Sequence, residues 1–168
     1  MRDRSEFEVR DIAKLVGTNP RRVEGWVEKG FLTPLVRGHG PGRRRVFDLA
    51  NLLQAALLVE LLSTFGERSR AVGRIVREVG RLKNDTKRLV ARLAMPEGLG
   101  LLLKLDHTLE ILWIELERKG GVHVHLTEQT PEVWREAGRA LGESRTVILL
   151  NVTSVLNNLQ IKLHHLRN

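Results

Sequence analysis

The sequence predicts a mainly α-helical chain with an α+β C-terminal part. Three observations point there. Apolar residues recur at helical spacing through the first half, a Gly/Arg-rich turn interrupts them once, and period-two alternation takes over toward the end. The chain divides into three segments: residues 1–66, a run of short helices around a hairpin; residues 67–97, a helical and basic connector; and residues 98–168, a small antiparallel-sheet module. The boundary falls at Met95-Pro96-Glu97-Gly98, where a Pro and a Gly break helical periodicity.

In the first segment Val9, Ile12, Ala13 and Val16 lie on one helical face, and Gly17 supplies a stop. Asn19 is a natural N-cap. Pro20 suits the first helical position, where its missing N–H costs nothing. A second helix then spans residues 20–29 and ends at Gly30. Val23, Trp26 and Val27 should pack inward, leaving Arg21, Arg22, Gly25 and Lys29 on or near the other face. Two short helices, a tight turn and a basic outer surface make a helix-turn-helix.

Phe31 to Arg37 reads as an extended arm and Gly38-His39-Gly40-Pro41-Gly42 as a turn. Arg43-Arg44-Arg45-Val46-Phe47 returns as a second arm. The resulting wing carries Arg37, Arg43, Arg44 and Arg45, whose guanidinium forks suit phosphate oxygens. His39 reads as an exposed turn residue. Asp48 caps a third helix containing Leu49, Leu52, Leu53, Ala56, Leu57 and Val59. The whole is a winged helix-turn-helix.

Charge agrees with that shape. The chain holds 28 Lys and Arg against 20 Asp and Glu, a net of +8. Residues 1–96 carry 20 basic and 11 acidic side chains, hence +9, and residues 97–168 carry 8 and 9, hence −1. A basic half joined to a neutral half implies a polyanion-binding domain attached to something else.

Phe7 to about Phe65 resembles the winged helix-turn-helix of MerR-type transcription regulators. The matching residues are Ile12-Ala13-Lys14, Gly17, Asn19-Pro20-Arg21, Glu28, Gly30-Phe31-Leu32, Pro34, and a wing ending Gly42-Arg43-Arg44-Arg45. The resemblance implies a sequence-specific regulator of transcription that binds double-stranded DNA as a dimer. Helix 20–29 would enter the major groove with Arg21, Arg22 and Lys29, and Arg37, Arg43, Arg44 and Arg45 would grip phosphates. Where the family shows an Arg and two aromatics, this chain has Glu24, Gly25 and Trp26. Glu24 could accept from a cytosine amino group. Gly25 would allow close approach either of a groove or of a neighbouring helix, and Trp26 reads as core. MerR-type proteins dimerise through a long helix after this domain; here Gly80 and Asn84-Asp85 interrupt that helix. Two other readings fit parts of the pattern. One is an excisionase-like architectural DNA-binding protein. The other is a protein-interaction adaptor that has lost DNA reading.

The connector places Val72, Ile75, Val76 and Val79 on one helix, and Asp85 before another with Leu89, Val90, Leu93 and Ala94. In the last segment Leu99 to Leu105, Ile111 to Leu116 and Val122 to Leu126 read as three consecutive antiparallel strands. A helix runs from Thr130-Pro131 to Gly142, and a strand from Thr146 to Val152. A final helix, capped by Thr153 or Ser154, has Val155, Leu156, Leu159, Ile161, Leu163 and Leu166 as its apolar content. Trp113 and Trp134 read as core or interface residues. This module would serve dimerisation or receive a protein or small-molecule signal.

His123 and His125 share a strand face, but without a third ligand they read as solvent-facing polar residues. No metal or cofactor is expected. With no cysteine, thiolate metal sites, disulfides and Cys nucleophiles are excluded. No Walker loop, His-Glu-x-x-His or Gly-x-Ser-x-Gly occurs, so no catalytic role is expected. No apolar run approaches a membrane span and the first residues are not of signal-peptide type, so a cytoplasmic, nucleoid-associated protein is the expectation.

Overall fold

The computed structural model describes residues 6–36, 44–66, 70–79, 110–116, 122–142 and 146–167. The chain opens with α1 (Val9–Val16) and α2 (Pro20–Glu28). The Glu8 backbone N–H donates to Asp11 Oδ2 at 3.0 Å, which ties down the start of α1. Gly17 ends it in the left-handed region at φ 74°, and the Thr18 N–H donates to the Ala13 carbonyl at 2.8 Å. Asn19 Oδ1 accepts from the Arg22 N–H at 2.8 Å, so the expected Asn-Pro start of α2 is realised.

Beyond α2 the chain does not extend at once. The Phe31 N–H still donates to the Trp26 carbonyl at 2.8 Å, and Leu32 and Pro34 drop into the core. Asn51 Nδ2 donates to the Thr33 carbonyl and Gln54 Nε2 to the Phe31 carbonyl, each at 3.0 Å. Side chains of the next helix thus take carbonyls that a strand partner would have taken. Among the described residues the two expected arms meet at the antiparallel Val36–Val46 bridge, and a second bridge joins Phe7 to Phe47.

α3 (Leu49–Phe65) begins with a reciprocal cap. Asp48 Oδ1 accepts from the Asn51 N–H at 2.8 Å, and Asn51 Oδ1 from the Asp48 N–H at 3.3 Å. Its apolar residues point in all directions and are nearly all buried, because α1, α4 (Arg70–Val79) and the last helix pack around it. On α4, Val72, Ile75, Val76 and Val79 are buried as their spacing requires.

Strands β1 (Glu110–Leu116), β2 (Val122–Glu128) and β3 (Thr146–Asn151) form an antiparallel sheet in the order β2-β1-β3. Trp113 stands between His125 on β2 and Leu149 on β3. Leu112, Ile114, Val124 and Ile148 belong to one face, which joins the helical core. Trp113, Val147 and Leu149 belong to the other, under Val133 and Ala137 of α5 (Pro131–Gly142). α6 (Val152–Arg167) packs on β1, α3 and α1. One continuous apolar core therefore runs from Phe7 and Ile12 through α3 to Ile114 and Leu163.

Several expectations change. The cap of α6 is Asn151, whose Oδ1 accepts from the Ser154 N–H at 2.9 Å; β3 passes into the helix without a loop, so Thr153 and Ser154 already lie inside it. Ile161, one of the apolar residues of this helix, is exposed, since among the described residues α6 is covered along one side. Trp113 is buried, whereas Trp134 is 50% exposed on the outer side of α5. The strand expected at 99–105, the helix after Asp85 and the boundary at 95–98 lie outside the described residues.

Candidate nucleic-acid interface

α2 presents its surface because Val23 and Trp26 anchor the opposite side; both are buried, and Val27 packs against the same core. Arg21, Glu24, Glu28 and Lys29 are exposed; the first three lie roughly 100–160° around the helix from those anchors, whereas Lys29, the C-cap three residues past Trp26, sits on the flank. Among the described residues none of these four side chains forms an ion pair or hydrogen bond. Arg21 and Lys29 are thus positive charges available to an incoming anion.

Arg22 differs. It is half-buried, and its guanidinium carbon lies 5.9 Å from the centre of the Trp26 ring, within reach of a cation–π contact. It lies on the flank of α2 rather than its crest. Gly25 has no atom within 4 Å of the position a Cβ would occupy. Among the described residues no neighbouring helix occupies that space.

In the wing, Arg44 is exposed and pairs with Glu8 at 3.2 Å, and Arg45 is half-buried. Arg37, His39 and Arg43 lie outside the described residues. Leu35 and Val36, which sequence reasoning passed over, are 60% and 54% exposed beside these arginines. Pro34, immediately before them, is buried.

Residues 7–78 match the MerR HTH family of regulatory proteins. This segment is a MerR-type helix-turn-helix DNA-binding domain. It spans α1 to α4 almost to its last residue, so the Phe7–Phe47 bridge and the wing base are both inside it. No curated protein matches the chain.

The MerR-type domain does not stand apart from the C-terminal elements. α4 packs on β2, and α6 returns to α1, where Lys162 Nζ comes within 3.9 Å of the Cβ position of Gly17. The turn of the helix-turn-helix is therefore touched by the last helix of the chain. On the outer sheet face, exposed His125 stacks on Trp113 with ring centres 5.6 Å apart. Among the described residues no group of three potential ligands could hold a metal ion, and no helix is long and apolar enough to cross a membrane.

Proposed function

We propose that this chain is a cytoplasmic, nucleoid-associated regulator of transcription that binds specific double-stranded sites as a homodimer. α2 enters the major groove, with Arg21, Arg22 and Lys29 toward bases and phosphates. Arg37, Arg43, Arg44 and Arg45 of the wing hold the flanking backbone. The observation that carries this reading is the exposed positive charge of Arg21 on α2 and Lys29 at its C-cap, without an ion pair among the described residues, inside a MerR-type domain. Dimerisation follows from recognition geometry: one short helix reads too few base pairs, and two half-sites about 34–36 Å apart supply the rest. The sheet module, joined to the domain by one core, is suited to pass a signal to it or to hold a partner copy.

The decisive experiment is selection of bound fragments from a random duplex pool by the full chain, followed by salt titration on the winner. The reading expects an inverted repeat. It also expects affinity to fall by about a thousandfold between roughly 50 and 200 mM salt, as for six or more phosphate contacts. Binding that ignores both sequence and salt would refute it.

A further inference from the structure

On the exposed side of α2, Glu24 and Glu28 are two groups that electrostatic attraction does not explain, and Glu24 is the nearer to the N-terminal end, where a recognition helix meets base edges. It is exposed and, among the described residues, has no cationic partner, although Arg21 stands three positions earlier on the same helix. An unneutralised carboxylate facing a phosphate backbone is repelled. Beside it, Gly25 leaves a bare patch of helix with no atom near its Cβ position. The two together make a surface that tolerates close approach and carries one acceptor-only group.

We infer that Glu24 is a specificity-determining residue, accepting a hydrogen bond from the N4 amino group of a cytosine in the major groove. The inference rests on the DNA-binding reading above and deepens it. In the major groove guanine shows two acceptors and thymine one beside its methyl, both unfavourable to a carboxylate. Adenine sets an acceptor next to its donor, and cytosine shows a donor alone. Glu24 thus selects by repulsion as much as by bonding. Three residues advance a helix by about 4.5 Å, and one base step by about 3.4 Å, so Arg21 and Glu24 address neighbouring base pairs. Arg21 suits guanine by its two donors. Gly25, one residue on, holds no side chain between backbone and base edges.

The test is duplex selection by the full chain and by Glu24→Ala and Glu24→Gln, with thermal unfolding as a control on folding. The parent should require C·G at one position. Glu24→Ala should lose that requirement, by about tenfold in discrimination, and keep the others. Glu24→Gln should move it toward A·T, because an amide offers a donor and an acceptor to adenine. If Glu24→Ala tightens binding to every duplex equally and leaves all positions unchanged, Glu24 is only a repulsive charge and the inference falls. A parent chain that binds no duplex removes the DNA-binding reading itself, an outcome distinct from unchanged base preference in a chain that does bind.

Discussion

The ring of Phe31 stands where Gly73 has no side chain: a Cβ on Gly73 would lie 3.2 Å from Phe31 Cε1 and 3.5 Å from Cζ. This contact joins α4 to the segment that leaves α2, whose Phe31 N–H is itself held by the Trp26 carbonyl. Gly73→Leu should therefore cost about 1–3 kcal/mol by overpacking. Truncating the ring should relieve it, so Phe31→Ala combined with Gly73→Leu should lose less than the two single losses added. Strict additivity in denaturant titrations would show that the contact carries no coupling.

Gly17 closes α1 at φ 74°, which L side chains adopt at a cost. Gly17→Ala should destabilise by about 1–2 kcal/mol, and Gly17→Asn by less, since Asn tolerates this region. Crowding is not the cause, because the nearest atom is the flexible end of Lys162. Equal thermal unfolding of the parent and Gly17→Ala would contradict the strain argument.

The Arg44–Glu8 pair is exposed at both ends. Glu8→Ala should change stability by less than about 1 kcal/mol yet strengthen duplex binding at low salt, by freeing Arg44. Replacing Arg43, Arg44 and Arg45 by Ala should weaken binding to all sequences and reduce the salt slope by about 1 for each phosphate no longer neutralised. A slope identical to that of the parent would remove the wing from the interface.

Arg22 packs over Trp26, so Arg22→Ala should cost about 0.5–1 kcal/mol of stability. If Arg22 also reaches a base, the substitution should change base preference more than overall affinity. Uniform weakening on all duplexes would mark it as a phosphate contact only.

Glu132, in the first turn of α5, titrates below its ordinary value of 4.5. Its own backbone N–H is the largest cause, then the Thr130 hydroxyl, with Arg135 adding less and desolvation opposing. A depressed carboxylate stabilises the fold at pH above its unfolded value. That stabilisation is lost as pH falls through the folded one. Thr130→Val should raise the Glu132 midpoint toward 4.5, followed by its carboxyl resonance in an NMR titration. A midpoint that stays put would exclude the hydroxyl as a cause.

Much of the helix-turn-helix was legible because its signals are local. Asn19-Pro20, Gly17 and Asp48 act on residues two to four positions away, and the apolar spacing of Val23 and Trp26 chooses a buried face without reference to what covers it. The positive charge of the first 96 residues was likewise countable from composition. The wing was legible only as a turn between arms. Its anchoring by Asn51 and Gln54, 18 and 23 residues from their partners, has no local signature.

The amino-acid order alone determined that α1 to α5 are helices and β1 to β3 strands, where α1 to α3 begin, and which surface of α2 is polar, because those outcomes follow from neighbours within one turn or one pleat. Tertiary structure decided the rest: that α3 is wrapped on nearly all sides, that Trp113 is enclosed and Trp134 is not, and that α6 comes back to the turn at Gly17. Each of these depends on which distant element arrives to cover a face, and a face does not encode its own partner.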